Sequence, residues 1–456
     1  METKTDLKRS LSHRQMTMIA LGSALGTGLF LGSGTAIGIA GPGVILAYII
    51  GAVLAGIIGG ALGEMTSRNP VRGAFGAQCA MYLGPSAGYL ARWCYWAAAV
   101  IAIGGEVVAA ATYLQFWWPQ LPLWVGITFF ALVIIAINVM SVRSFGVIEF
   151  FLSGIKVIAL SVFILIGLLL IVFGLPETPA TGLTAWTADG GFLPNGIGSV
   201  WLVMAVVMFS FVGVEMISIS AAEAKEPERS VRTAMRTLLI RLAAFYVVSI
   251  AIIVAITPWR QAADVAGVQA SPFVTVFTGV GIPAAASVTN IVVLIAAISA
   301  ANANLYGSTR LLHSLAHDGL APRPFRHTST GGVPVPALLL SALGMVLAAV
   351  LAVSNVANIF VLLVSIATFG VLVTWVLILL AFISYRRSNP VGKAPYTLIG
   401  GIPAAVLGVI GIVGVAATAF VVPDMMTAAA VGIPFVAILT LIYFLLLRRR
   451  VRVEVG

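Results

Sequence analysis

The chain is a succession of apolar runs, each about 20 residues long and closed off by proline, glycine or charged residues, and this pattern leaves little freedom in the fold. A helix needs about 20 residues to cross the roughly 30 Å of bilayer hydrocarbon. The runs fall at about 15–39, 43–66, 86–115, 122–141, 147–174, 196–222, 234–257, 281–312, 335–353, 357–384, 401–422 and 427–447. Inside lipid every backbone N–H and C=O must be satisfied within the structure, so only helices and closed barrels can span it. These runs are continuous rather than alternating, which selects helices over barrel strands. Hydrophobic residues make up 60% of the chain and charged residues 9%. Mean hydropathy is +1.09, far above that of a soluble domain. The expected fold class is an all-α polytopic membrane protein with twelve transmembrane helices, and the lipid bilayer is its first partner.

A net charge of +10 would suit nucleic acid, but its placement suits a membrane, and no nucleic acid partner is expected. Lys4, Lys8, Arg9 and Arg14 precede span 1, Arg68 and Arg72 follow span 2, and Arg143 joins spans 4 and 5. Lys225, Arg229, Arg232, Arg236 and Arg241 follow span 6, and Arg310, Arg323 and Arg326 follow span 8. Arg386, Arg387 and Lys393 follow span 10, and Arg448, Arg449, Arg450 and Arg452 close the chain. The alternate loops hold little beyond Arg260. The positive-inside rule then predicts a multi-pass plasma membrane protein with both termini cytoplasmic. The basic N-terminus is followed by a run too long for a secretory signal, with no small-residue cleavage site, so span 1 is expected to remain.

Two runs are interrupted by small residues in mid-membrane. They are Leu21 to Phe30 (LGSALGTGLF) and Val207 to Met216 (VMFSFVGVEM), roughly 180 residues apart and early in what read as two equivalent halves. A helix broken at that depth leaves backbone N–H and C=O groups free for a ligand, and paired breaks of this kind bind substrate in inverted-repeat transporters. In the first, Gly22, Gly26, Thr27 and Gly28 would expose amides suited to a carboxylate. Close helix packing through the small face from Gly26 to Gly34 is the alternative. In the second, the carbonyls of Phe209 to Gly213 would accept an ammonium group. The rings of Phe209 and Phe211 would form an apolar wall there, and the Ser210 hydroxyl would orient the ligand. An α-amino acid carries both charges at fixed spacing and fits such a pair.

Three intramembrane charges need explanation, since each costs roughly 2.5–3.5 kcal/mol at a helix centre. Lys156 lies deep in span 5, among Ile155, Val157, Ile158 and Leu160. A lysine alternately wetted and dried there can bind and release a proton, with a structural lysine held by helix-end carbonyls as the alternative. Glu215 follows the second break and Glu106 sits inside span 3. Each is a candidate proton partner, cation site or buried strut.

Enzymatic chemistry finds no support: there is no P-loop and no nucleophile–His–acid arrangement at membrane depth. Cys79 and Cys94 read as packing residues on the cytoplasmic side, where disulfides are rare. His313 and His317 have metal-compatible i, i+4 spacing but no third ligand nearby, so a solvated helix end is expected, with no metal and no cofactor.

Several motifs, in order along the chain, resemble the amino acid permeases of the amino acid–polyamine–organocation superfamily, in the amino acid transporter branch. They are Gly26 to Gly34 (GTGLFLGSG), Gly41 to Gly43 (GPG), Gly63 to Met65 (GEM), Ile155 to Ile158 (IKVI), and Phe209 to Phe211 (FSF) with Glu215. They continue with Ala221 to Ala224 (AAEA) before Pro227 to Arg229 (PER), then Ser299 to Asn302 (SAAN), Leu305 with Tyr306, and Ser308 to Arg310 (STR). The resemblance covers nearly the whole chain. It implies a 5+5 inverted repeat in which spans 1–5 and 6–10 intertwine, spans 1 and 6 are broken, and spans 11 and 12 are peripheral. It also implies that Thr27 and its flanking glycines take the substrate carboxylate, and that Phe209, Ser210 and Phe211 take the ammonium and side chain. Lys156 would replace the sodium ion of sodium-driven carriers, and Glu215 and Glu223 would serve substrate binding or proton linkage. Val212 departs from the second glycine of many members and is similar to the bulkier residue of γ-aminobutyrate-type permeases. That substitution narrows the site against aromatic or large cationic substrates.

The expected function is proton-coupled uptake of a zwitterionic amino acid, a small neutral one or γ-aminobutyrate, by alternating access. A cationic amino acid permease, an amino acid exchanger and a non-transporting amino acid sensor are the alternatives, and no oligomeric state is implied. The candidate substrate residues are Ser23, Gly26, Thr27, Gly28, Glu106, Phe209, Ser210, Phe211, Gly213, Glu215 and Ser299, with Lys156, Glu215 and Glu223 for proton coupling. The expected organisation is a tail at 1–14, a first repeat at 15–174, an extracellular loop at 175–195 and a second repeat at 196–384. A cytoplasmic loop at 385–400, peripheral helices at 401–447 and a basic tail at 448–456 complete it.

Overall fold

The computed structural model describes residues 11–448, apart from 72, 175–179, 222, 225, 265–270, 280–282, 355, 357 and 390–395. Of the basic residues read above, Lys4, Lys8, Arg9, Arg72, Lys225, Lys393, Arg449, Arg450 and Arg452 lie outside the described residues.

Span 1 folds as three pieces: α1 (His13–Ala24), α2 (Thr27–Phe30) and α3 (Gly32–Ala40). A capping box starts it, in which the Ser12 hydroxyl accepts from the Gln15 N–H and the Ser12 N–H donates to the Gln15 side chain. Next come α4 (Val44–Arg68), α5 (Ala74–Leu83), α6 (Pro85–Leu114), α7 (Leu123–Val139) and α8 (Val142–Val172). Span 6 is likewise divided, into α9 (Gly196–Leu202), α10 (Met204–Ser210) and α11 (Met216–Ala221). It is followed by α12 (Pro227–Ile256), two short helices α13 (Trp259–Asp264) and α14 (Pro272–Gly279), and the long α15 (Pro283–His317). Span 9 is α16 (Val335–Ser341) with α17 (Leu343–Val353), and α18 (Ile359–Ser388), α19 (Gly401–Ala417) and α20 (Pro423–Ile442) end the fold. Proline opens α6 and α20, where a missing N–H costs nothing.

Among the described residues, nine helices are long and apolar enough to cross a bilayer. Twelve such spans were expected, and the difference has local causes. The two breaks cut spans 1 and 6 into short pieces, α7 has 17 residues, and α3 runs through a GPG turn into α4 to make one apolar stretch of 37 residues.

Buried groups concentrate around α6, which packs against α15 and α18, while α4 packs on α12 and α1 on α8. The apolar window of α6 is 78% buried, against 11% for the window through α20, so α6 lies at the centre and α20 at the periphery. Cys79 and Cys94 are buried and unpaired. The pieces of spans 1 and 6 meet inside this bundle: α2 and α3 pack on α10, and α1 packs on α11.

Candidate functional site

The first break is two residues long. Leu25 still donates to Leu21 O, Gly26 is extended (φ −110°, ψ −166°), and Thr27 starts helix again. Gly22 is not part of it: that residue lies inside α1, and its carbonyl accepts from Lys156 Nζ. Its amide was expected to face a ligand, but helical hydrogen bonding continues to the end of α1, and in the turn that follows the Gly26 N–H donates to Ala24 O at 2.9 Å.

The second break runs from Phe211 to Glu215, and Gly213 there has φ +113°, a region that disfavours any side chain. A Cβ on Gly213 would also lie 2.7 Å from Ser23 Oγ, so the two breaks touch at backbone level. The same holds at a second point, where a Cβ on Gly28 would lie 2.7 Å from Ser210 Cα. Glycine at 28 and 213 is therefore a condition for the approach of the two chains.

One side chain of α12 spans this contact. The Tyr246 hydroxyl sits 2.5 Å from Ala24 O and 2.8 Å from Ser210 O, one carbonyl from each break. A hydroxyl has a single proton, so it cannot fully satisfy both acceptors at once. Tyr48 of α4 stands beside it, with its hydroxyl 3.3 Å from Ser210 Oγ.

Between the breaks lies a cavity of about 10 Å³, lined by Ser23, Ala24, Gly26, Gly28, Glu106, Phe209, Val212 and Asn304. That is about the room one water molecule occupies, so admitting an amino acid requires the surrounding helices to part. Ser23 Oγ beside it has no hydrogen-bond partner, and Thr27 Oγ1 and Glu106 Oε2 make no bond of good geometry although the carboxyl faces the Thr27 side chain and N–H. An unpartnered group is uncommon in a packed interior and costs about 1–3 kcal/mol. Glu106 also faces Gly26, where a Cβ would come within 3.0 Å of Oε1.

Other expected residues are placed differently. Glu215 is engaged by protein donors on both oxygens: Tyr95 Oη at 2.6 Å and the Gly213 N–H at 2.9 Å on Oε1, and Trp375 Nε1 at 3.3 Å on Oε2. It ties the second break to α6 and α18. Phe211 points away from the cavity, packing 4.8 Å from the Tyr246 ring and against Gly51 of α4, so Phe209 and Val212 supply the apolar wall. Ser299 donates to Glu149 rather than facing the cavity.

Glu223 lies at the end of the broken span, with Arg310 Nε at 3.0 Å and Tyr306 Oη at 2.7 Å. The Arg310 guanidinium covers the Tyr306 ring at 3.8 Å, and Phe145 stacks on the other face at 4.3 Å. The Leu11 N–H donates to Glu223 O at 3.0 Å, so the segment before α1 is fastened to the same cluster. Four residues escaped the reading of the sequence: Glu149, Asn304, Tyr246 and Tyr95. Of these, only Glu149 carried a readable signal, as a charge within an expected apolar run.

The profile of the family described as amino acid permease matches residues 15–455, nearly the entire chain. The chain belongs to the amino acid permease family. Its relatives include the uncharacterized amino acid permease YtnA of Bacillus subtilis, 39% identical over 386 residues that cover 84% of this chain and 82% of that protein. The aromatic amino acid transport protein AroP of Escherichia coli is 40% identical over 384 residues, 84% of this chain and 83% of its own length. Membership makes this permease a multi-pass membrane protein of amino acid transport, not an enzyme.

Proposed function

We propose that this permease is a secondary active transporter that takes up a small neutral zwitterionic amino acid together with a proton by alternating access. One observation supports the reading: the two helix breaks converge on a small cavity lined by Ser23, Ala24, Gly26, Gly28, Glu106, Phe209, Val212 and Asn304, with the Ser23 hydroxyl unpartnered and with the Ala24 and Ser210 carbonyls sharing one Tyr246 hydroxyl beside it. Substrate would part the breaks, its carboxylate taken at Gly26 to Gly28 and its ammonium at the freed carbonyls. Glu106 and Asn304 would meet the remaining groups. Val212 beside Phe209 supports a small side chain, and γ-aminobutyrate fits the same description.

Lys156 would carry the proton, with Glu223 and Arg310 closing the cytoplasmic side and Glu215 holding the second break in shape. Twelve spans, in two repeats at 15–174 and 196–384 joined by the loop at 175–195, complete the proposal. A tail at 1–14 precedes them, and the loop at 385–400, the peripheral pair at 401–447 and a basic tail at 448–456 follow, with both termini cytoplasmic. The short helices support the repeat: α5 lies between the second and third spans, and α13 and α14 lie between the seventh and eighth, the same place in each half.

A second reading, an aromatic substrate, is favoured by the AroP relatives. A thermal-shift screen of the detergent-purified protein against the common amino acids, their D-forms and γ-aminobutyrate separates the two. A ligand bound only by the folded state adds about 2.7 kcal/mol at a hundredfold excess over Kd. Stabilisation by glycine, alanine, serine or γ-aminobutyrate is the expected result. Stabilisation by phenylalanine, tyrosine or tryptophan alone would replace the small-substrate reading with the aromatic one, and no shift by any of them would sink both.

A further inference from the structure

Another charged side chain is buried in the interior, beyond the three intramembrane charges that the sequence singled out. Glu149 of α8 is fully buried, as are Lys156, Ser153, Ser299 and Asn302 around it. Its Oε1 accepts from Ser299 Oγ and, at 3.1 Å, from Ser153 Oγ, and its Oε2 accepts from Asn302 Nδ2 at 2.8 Å. The amide of Asn302 is oriented by a second amide. Asn138 Nδ2 of α7 donates to Asn302 Oδ1 at 2.6 Å and also lies 3.1 Å from Ile134 O, so Asn302 presents its N–H side to the carboxylate. A carboxylate met only by donors on both oxygens is solvated as an anion by the protein.

Lys156 lies seven residues further along the same helix, two turns on and on a similar face. The charges facing the ammonium are Glu149 of its own helix and Glu106 of α6. The inner half of span 1 brings the Gly22 carbonyl, which accepts from Lys156, while α15 and α7 bring only the neutral groups named above. Gly22 is in contact with both members of the pair. A Cβ there would lie 1.9 Å from Ser153 Oγ and 2.6 Å from Glu149 Oε1, so α1 rests with its backbone directly on this polar platform.

We propose that Glu149 is the counter-charge of Lys156, and that the two together form the charge-neutral seat on which α1 closes. Glu149 is then a positioning residue: it holds Lys156 in place to grip the Gly22 carbonyl, and α1 leaves the seat when the cytoplasmic side opens. The inference rests on the transporter reading only in requiring α1 to move. Removing Lys156 leaves Glu149 buried without its cation, and removing Glu149 leaves Lys156 with Glu106 alone, either of which weakens the closed state, whereas removing both takes the unmatched charge off the platform under α1.

The test is the labelling rate of a cysteine placed at Ala20, a fully buried position on α1, by a water-soluble maleimide. It uses purified full-length protein carrying Cys79→Ala and Cys94→Ala, and it needs no substrate, so a failure of the proton-coupling reading leaves it unaffected. The expected result is labelling about tenfold faster or more in Glu149→Gln and in Lys156→Met, with the double variant returning to within about threefold of the parent. A helix-packing role without charge pairing would make the double variant at least as fast as the faster single. That result, or unchanged labelling in both singles, overturns the proposal. If a single variant cannot be purified, the double decides: folding with slow labelling supports the pair, and failure to fold contradicts it.

Discussion

At the scale of single residues the structure separates positions that look alike in the sequence. Gly28 and Gly56 are both glycines of apolar runs, yet a Cβ at Gly28 meets the Ser210 backbone, while one at Gly56 meets nothing within 4 Å. Gly28→Ala is therefore expected to abolish ligand-induced stabilisation and transport. Gly56→Ala should leave both intact and gain up to about 1 kcal/mol of helix propensity, as read from the melting temperature of each variant. Glu215→Ala would strand the Tyr95, Trp375 and Gly213 donors at about 1–3 kcal/mol each. A clear fall in melting temperature is expected, and an unchanged one would contradict the strut. The glycine and FSF motifs were legible because their chemistry is local. Glu149 escaped notice because the fifth span was placed at about 147, where a charge at the water boundary needs no explanation. The helix begins at Val142, which carries Glu149 two turns inside. Tyr95, Tyr246 and Asn304 matter only through partners on other helices, whose facing sides the sequence does not reveal, such as Ala24, 222 residues from Tyr246.

At the scale of elements, the breaks at spans 1 and 6 were legible from glycines in mid-membrane, and the structure interrupts both helices within a few residues of the motifs. Which groups the breaks leave open was less legible, because helical hydrogen bonding reaches Ala24 and withdraws Gly22 from the site. The contact between the breaks depends on α12. Tyr246→Phe removes the one donor that holds the Ala24 and Ser210 carbonyls together, at a cost of about 1 kcal/mol of stability if substrate is absent. Since the substrate ammonium would use the same carbonyls, the variant should lose less stability when the amino acid is bound, and its ligand-induced shift should match or exceed that of the parent. A shift abolished in Tyr246→Phe would show instead that the hydroxyl contacts substrate directly. The Glu223–Arg310–Tyr306 cluster is a second element-scale device. Arg310→Met leaves the buried Glu223 with Tyr306 alone, and the expected outcome is faster maleimide labelling of a cysteine at Ala20, as the segment before α1 loses its anchor.

At the scale of the whole molecule, the apolar runs determine that the chain crosses a bilayer many times, and the order of its motifs places it among amino acid permeases. Substrate choice was not legible at this scale, because the cavity walls come from α1, α2, α6, α10 and α15, with Val212 in the second break, and its volume changes as they part. A neutral amino acid moved with one proton, as proposed, would carry one charge, and about 2.3 kcal/mol per 100 mV would support roughly fiftyfold accumulation. The most direct measurement is uptake into proteoliposomes of the amino acid that gives the largest thermal shift, with an inward proton gradient, an interior-negative potential and no sodium. Proton-coupled uptake predicts accumulation above the external concentration that a protonophore abolishes and that Lys156→Ala loses. Equilibration without accumulation, an absolute requirement for sodium, or undiminished accumulation in Lys156→Ala would contradict it.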